Sequence, residues 1–160
     1  MGYVQASRTI HAPAEAVWNA LNDIDTTPKW VVGLEKAELK THEPYGKDAI
    51  YYDYNRLGPF PQVTAWTVVE FTPMSHQVHV SNSNVLPSKM LLSLIASSKG
   101  THVTMTVEYR FLPQWGAVGR LLERMVMNHL LKSVLQQNLG QLDQYLQRQE
   151  VQASFVKNSI

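Results

Sequence analysis

The pattern of apolar and polar positions divides the chain into a series of short strands and one long helix that follows them. Residues 3–10 alternate weakly between apolar and polar side chains, which is typical of a half-buried strand. Six more strand-like runs follow, separated by turn residues such as Gly58-Pro59 and Thr72-Pro73. These short connections favour antiparallel neighbours in one sheet. The later strands are predicted at about 33–42, 47–57, 62–72, 75–83, 87–98 and 101–112.

Two short helices are predicted between the first strand and the second. Pro13 suits the first turn of a helix, where its missing N–H costs nothing, and a helix is predicted at roughly residues 14–23. Apolar positions such as Val17 and Leu21 give this helix one apolar face. A second, shorter helix is predicted at about residues 27–31.

A much longer helix is predicted from about Trp115 to Arg148. It spans roughly 50 Å at about 1.5 Å per residue, whereas a compact domain of this length has a radius of gyration of about 15 Å. The helix must therefore cross the domain, with the strands wrapped around it. Its front half is apolar over a wide arc, which indicates a segment surrounded by sheet and loops. One stripe contains Leu121, Met125, Leu131, Leu135, Leu139, Leu142 and Leu146, and the front half adds Val118, Leu122, Val126, Leu130 and Val134.

Length, charge and the absence of cysteine narrow the classes of function. The 160 residues predict one domain at 1–149, with 150–160 as a flexible tail. A net charge of +1 and scattered basic residues argue against a nucleic acid partner. Without cysteine the chain has no disulfide, thiolate metal site or cysteine nucleophile. No apolar run is long enough to predict an integral membrane segment, and no signal peptide is recognisable, so a cytoplasmic location is expected.

The opening of the chain carries a likeness to a known superfamily. The matching features are the strand ending at Ile10, Ala12-Pro13 at the helix start, Val17-Trp18 followed by Leu21, Asp23, and Trp30 before Gly33. They resemble the START-like superfamily (SRPBCC or helix-grip), and within it the polyketide cyclase/dehydrase-like family. The resemblance implies an α+β helix-grip fold, a curved antiparallel sheet of about seven strands around a long C-terminal helix. It also implies a cavity between them, in a superfamily that includes lipid carriers, hormone receptors, chaperone cofactors and cyclases.

Alternation within the strands predicts which side chains face the helix. In the last strand the inward set is expected to be Val103, Met105, Val107, Tyr109 and Phe111. In the strand at 47–57 both faces carry tyrosines, so alternation leaves open whether Tyr52 and Tyr54 or Tyr51 and Asp53 point inward. The inward sets expected in two further strands are Val63, Ala65, Val69 and Phe71, and Met90, Leu92, Leu94 and Ala96.

These observations lead to the hypothesis that the chain binds, carries or sequesters a hydrophobic or amphipathic small molecule between the sheet and the front half of the last helix. Flexible methionines suit an adaptable apolar pocket, and Asn128 could orient a ligand by hydrogen bonding. No metal or cofactor is expected, because His76 and His79 are three apart on a strand and face opposite sides. The predicted ligand-binding residues are Tyr52, Tyr54, Met90, Leu92, Met105, Tyr109, Leu121, Met125, Asn128 and His129.

Three alternatives stay open. The apolar stripes could form a solid core without a ligand. The chain could be a cyclase or dehydratase acting on a polyketide-like substrate, which would need acid and base groups in the cavity, such as His129, Tyr52, Tyr109 or an inward-facing Glu108–Arg110 pair. It could also be a protein-interaction module that uses the outer face of the sheet. The sequence establishes neither the ligand nor turnover nor the oligomeric state.

Overall fold

Seven antiparallel strands form one curled sheet in the computed structural model, which describes residues 1–42, 44–57 and 59–159. The strands are β1 (Gly2–Ile10), β2 (Leu34–Leu39), β3 (Ile50–Leu57), β4 (Phe60–Thr72), β5 (His76–Ser81), β6 (Ser88–Ser97) and β7 (Gly100–Tyr109). Their order across the sheet is β1-β7-β6-β5-β4-β3-β2, so the first strand pairs with the last. The turn residue Gly58 lies outside the described residues.

The helices lie close to their predicted positions, although the short second one begins at Ile24 and not at about residue 27. They are α1 (Ala14–Asn22), a 3-10 turn (Ile24–Lys29), a second 3-10 turn (Pro113–Trp115), α2 (Gly116–Leu122), a π-helical turn (Glu123–Met127) and α3 (Asn128–Asn158). This arrangement confirms the predicted α+β helix-grip fold. None of the described helices is long and apolar enough to cross a membrane.

The last helix continues beyond its predicted end. α3 runs to Asn158 rather than ending near Arg148. The stretch after Arg148 contains neither glycine nor proline, so nothing in it interrupts a helix. Residues 150–158 are helical and their side chains are exposed, while Ile160 lies outside the described residues. The domain boundary at residue 149 and the flexibility of the tail remain predictions.

The π-helical turn changes which side of the long helix faces the sheet. One extra residue in a turn rotates the following helix by about 100°, so a stripe drawn at constant α-helical spacing does not continue through it. Met127 and Leu131 pack against the core, whereas Leu121 and Met125 are 58% and 68% exposed. The prediction that the front half of the helix is enclosed by sheet and loops is therefore wrong.

A β-bulge has the same effect on β4. Its pairing shifts between Val68 and Glu70, so the residues before and after the bulge have opposite phase. Phe71 faces the core, as predicted, and packs 5.2 Å from the ring of Trp18. Before the bulge, however, Trp66 shares the face of the buried Tyr51, and Val63 is 57% exposed. The inward assignment of Val63, Ala65 and Val69 is therefore corrected to Gln62, Thr64, Trp66 and Val68.

The main core lies between α1, the back half of α3 and the sheet strands β1, β6 and β7. Leu139 and Leu142 of α3 are fully buried in it, together with Val17 of α1 and Val103 of β7. Fully burying one such side chain contributes roughly 1.5–3 kcal/mol. The back half of the helix is thereby held on the concave face of the sheet.

Asp143 ties the same part of α3 to the end of β1. Its buried carboxylate accepts a hydrogen bond from the backbone N–H of His11 (2.9 Å) and lies 3.4 Å from Nε of Arg8. Burial by itself raises the pKa of Asp143. The hydrogen bonds from His11 and Gln147 together lower it by more than that, so the pKa lies below its usual value. The ionised form of Asp143 therefore stabilises the fold.

We expect Asp143→Asn to lower the free energy of unfolding by about 1–3 kcal/mol at neutral pH, because it removes the charge from these hydrogen bonds. A lowered pKa stabilises the fold above the unfolded value of about 4, and that contribution is lost as the pH falls through the folded value. The difference from the wild type should therefore shrink in acid. Urea unfolding at several pH values measures it. The matched variant Asp25→Asn, at an exposed position without such bonds, should leave the free energy of unfolding unchanged. If Asp143→Asn and Asp25→Asn had equal effects, the stabilising role of the Asp143 carboxylate would be contradicted.

Candidate functional site

A row of side chains crosses the concave face of the sheet in register. The pairing aligns Tyr51 of β3, Trp66 of β4, Ser81 of β5, Ser88 of β6 and Tyr109 of β7. Neighbouring strands lie about 4.8 Å apart, so the two rings that flank the serines, Trp66 and Tyr109, stand roughly 14 Å apart. We call the position of Ser81 and Ser88, between Trp66 and Tyr109, the serine gap. It is the part of the row with the smallest side chains.

Ser81 is buried without a hydrogen-bond partner. Its side chain is 2% exposed, and its hydroxyl has no partner among the described residues. The hydroxyl of Ser88, in contrast, donates to the backbone carbonyl of Leu86 at 2.9 Å. Buried polar groups are nearly always paired with protein, water or a ligand. The buried hydroxyl of Ser81 therefore has donor and acceptor capacity that no described residue uses.

Asp53 lies on the same face, beside Trp66. Burial raises the pKa of Asp53 to about 7, although a hydrogen bond from Trp66 opposes the rise. The indole N–H is a donor only, and Oδ1 of Asp53 has no partner among the described residues. Trp66 thus stands between two unpartnered groups, the Asp53 oxygen and the Ser81 hydroxyl across the strand pair.

A chain of hydrogen bonds runs along this same face, beside the row. The Tyr51 hydroxyl lies 2.7 Å from Nδ1 of His79, and Nε2 of His79 lies 3.2 Å from Oε1 of Gln77. Burial lowers the pKa of His79 to about 4, so its ring is neutral at neutral pH. Since Oε1 of Gln77 can only accept, Nε2 carries the proton and Nδ1 accepts from Tyr51. Gln77 also donates to Asn22 of α1 at 3.0 Å, which links the sheet to α1.

Tyr109 closes the other end of the row against the long helix. Its ring lies over Gly2, where any side chain would clash with it. Its hydroxyl donates to Oδ1 of Asn128 at 2.7 Å, at the first residue of α3. Burial, and then the charge of Glu123, raise the pKa of Tyr109 to about 12, so it remains protonated. The structure thus brings two predicted ligand residues together, but they bond to each other.

The other predicted ligand residues divide between the two faces. Met90, Leu92 and Met105 lie on the concave face, where Leu92 and Met105 are fully buried and Met90 is half-buried beside His79. Leu121, Met125 and His129 are exposed on the outside of the helical run, the first two because the π-helical turn changes the phase of the helix there. Their assignment to a pocket wall is therefore corrected.

Tyr52 and Tyr54 lie on the outer face of β3, so their assignment to the cavity is corrected as well. Tyr52 lies opposite Glu38 and Tyr54 opposite Lys36 in the pairing with β2. The hydroxyl of Tyr54 donates to Glu38 at 3.1 Å, and Lys40 lies 5.2 Å from the ring centre of Tyr52. The inward-facing aromatic residue of this strand is Tyr51 instead.

The outer face carries a groove of its own. It has a volume of about 500 Å³, and its lining combines apolar residues such as Leu91 and Ile95 with the charged residues Glu70, Lys89 and Glu108. Glu108 thus faces away from the helix, so an inward Glu108–Arg110 pair is not available for catalysis. Among the described residues no three His, Asp or Glu side chains are grouped so as to hold a metal ion.

The sequence matches one protein family over most of its length. Residues 1–147 match the family of polyketide cyclases/dehydrases and lipid transport proteins, so the chain belongs to this family. This confirms the START-like resemblance. No curated protein matches the chain.

Solved structures share the fold at low sequence identity. TTHA0849 from Thermus thermophilus is 18% identical with a TM-score of 0.76, and the match covers 91% of this chain and 97% of that one. MLL2253 from Mesorhizobium loti is 20% identical with a TM-score of 0.69, over 91% and 97% of the two chains. The di-domain aromatase/cyclase (ARO/CYC) StfQ from the steffimycin biosynthetic pathway is 10% identical with a TM-score of 0.70, over 92% of this chain and 51% of that one. At these identities the likeness shows the fold alone.

The raised pKa of Asp53 predicts a pH-dependent stability. Between about pH 4 and pH 7 the unfolded chain ionises this carboxyl while the folded chain keeps it protonated, so Asp53 lowers the stability as the pH rises. Asp53→Asn should therefore become more stable than the wild type with rising pH, by up to about 4 kcal/mol at pH 8. Chemical denaturation of both proteins from pH 4 to pH 8 tests this prediction. His79 also makes the stability depend on pH, but both proteins contain it, so its contribution cancels in the difference. A constant difference would show that Asp53 has an ordinary pKa.

Proposed function

We propose that this member of the polyketide cyclase/dehydrase and lipid transport family binds a hydrophobic or amphipathic small molecule on the concave face of its sheet, above the serine gap. The observation that carries the proposal is the pair of buried, unpartnered polar atoms, Oγ of Ser81 and Oδ1 of Asp53, on either side of Trp66. Pockets for small molecules combine mostly apolar walls with a few such polar groups.

The polar atoms favour a ligand with an oxygen at one end. The Ser81 hydroxyl can donate to a carbonyl oxygen or accept from a hydroxyl group. The protonated form of Asp53 can also donate, since its pKa of about 7 keeps part of it neutral near neutral pH. Apolar neighbours such as Met90 would cover the rest of the ligand. Burial of apolar surface contributes about 25 cal/mol per Å², before the cost of ordering the ligand.

A second candidate function is cyclisation or dehydration of a polyketide-like substrate. The observation that favours it is again Asp53, because a carboxyl with a pKa near the working pH can both give and take a proton. Tyr51 and His79 stand next to it on the same face, but their hydrogen bonds are already satisfied. The acid–base role therefore falls to Asp53 in place of His129, which the sequence suggested.

A larger side chain at Ser81 distinguishes a ligand-binding site from a solid core. We expect Ser81→Leu to fold with nearly unchanged stability and to lose ligand binding, because the leucine fills the space that the ligand occupies. In a solid core the same change would cost about 1–3 kcal/mol through overpacking. Native mass spectrometry of protein purified from its own cells shows whether a small molecule is carried. Thermal shifts with oleic acid and a polyhydroxylated anthraquinone provide a second measurement.

The matched control for this substitution is Ser93→Leu, which adds the same volume on the outer face of β6. This variant should keep both stability and binding. Loss of stability in Ser81→Leu, together with no ligand on the wild type, would contradict the proposed binding site.

The variant Asp53→Asn tests whether Asp53 acts in catalysis or only in ligand binding. If Asp53 is the acid–base group, this variant should keep its ligand-induced thermal shift but lose at least about 100-fold in the rate of ring closure and water loss. Mass spectrometry of a linear poly-β-ketone incubated with each protein measures the rate. The wild-type rate should also depend on a group that titrates near pH 7. Equal product from both proteins would exclude Asp53 as the acid–base group.

A further inference from the structure

The front part of the long helical run presents a large apolar surface to solvent. Its members lie on the outer side of the helix and are each at least 50% exposed; they are Trp115, Val118, Leu121, Met125, Val126 and Leu130, which we call the apolar ridge. These exposed side chains recur every one to four residues from Trp115 to Leu130, on both sides of the π-helical turn, so this whole segment presents apolar surface to solvent. An exposed apolar surface of this kind marks an interaction site.

Local contacts hold the ridge on the outside. On the opposite side of α2, a Cβ at Gly119 would lie 2.6 Å from the carbonyl oxygen of Leu112 and 2.9 Å from that of Phe111. One turn later, the buried Glu123 accepts a hydrogen bond from the backbone N–H of Phe111 at 2.9 Å. The helix therefore meets the rest of the chain through a glycine and a glutamate. It cannot roll its apolar side inward without breaking these contacts.

Positive charge is concentrated in the segment of the chain that carries the ridge. Between residues 110 and 142 the chain has four basic residues, Arg110, Arg120, Arg124 and Lys132, but a single acid, Glu123. Glu123 is already bound to the amino group of Met1 at 3.2 Å. The four basic side chains are exposed and form no ion pair with any residue that the structure describes. The whole chain has a net charge of only +1, so this excess is local.

The charge decides which partner fits the ridge. A two-fold contact with a second copy would bring two segments together that each have four basic residues and one acid, which is unfavourable. An anionic phospholipid surface neutralises the basic row and also accepts the apolar side chains, as it does for helices that lie in the membrane interface. We propose that residues 115–132 dock on an anionic phospholipid membrane, with the apolar ridge inserted among the lipids.

This proposal is independent of the serine gap, since the two sites share no residue. It is tested by co-sedimentation with vesicles of phosphatidylcholine alone and with about one third phosphatidylglycerol. The wild type should bind the anionic vesicles, and binding should fall as salt is raised. Each basic residue near the surface contributes enough for about a fivefold change, so R120Q/R124Q should bind about 20-fold more weakly. L121Q/M125Q should bind more weakly at every salt concentration.

Matched controls lie on the outer face of the sheet and in the turn between β6 and β7. K89Q/K99Q removes the same charge, and V63Q/I95Q removes two exposed apolar side chains, both away from the helix. Both should bind like the wild type. Brominated lipids report insertion directly, because they should quench Trp115 in the wild type and lose that effect in Trp115→Phe. Equal binding to neutral vesicles, equal binding by the ridge and control variants, or ridge-dependent dimers in gel filtration without lipid binding would overturn the proposal.

Discussion

The long helix is held firmly along one half only, and the rest of the molecule is arranged around that attachment. Leu139 and Leu142 are buried against the sheet, and Asp143 ties the same turns to β1 through His11 and Arg8. At the front, the contacts are few and mostly polar: Tyr109 to Asn128, and Glu123 to Phe111. The back half therefore fills the concave face with apolar side chains. The front half turns its own apolar side outward, and the concave face of β5 carries polar residues such as Ser81 and His79.

The architecture could be predicted because it depends on the order of the elements and on strong patterns. The strands are short, their connections allow only antiparallel neighbours in most places, and the last helix is too long to do anything but cross the sheet. Two details were beyond reach for one physical reason. The bulge after Val68 and the π-helical turn at Glu123–Met127 each change the phase of a repeating pattern. A pattern read at constant period assigns every residue on one side of such a point to the wrong face.

The candidate site shows a second limit of the sequence pattern: it predicts buried apolar residues well but does not identify buried polar ones. Met90, Leu92, Met105 and Tyr109 were placed on the concave face correctly because their strands alternate cleanly. Tyr51, Asp53 and His79 were not recognised as a group, since the sequence favours turning an aspartate to solvent. Here hydrogen bonds to Trp66, Gln77 and Asn22 make polar groups acceptable inside. The one signal available was that an aspartate alternates with tyrosines in β3, which left its facing undecided.

The pairing of the first strand with the last governs how the chain folds. β1 is finished within the first ten residues, yet its partner β7 ends about a hundred residues later, with Gly2 opposite Tyr109. Contacts so far apart along the chain require a large loss of loop entropy before they stabilise anything, which slows folding. During synthesis on the ribosome, β1 can pair with β7 only after most of the polypeptide has been made. Until then, the hairpins from β3 to β7 can form locally, and the N-terminal strand is the last piece of the sheet to find its place.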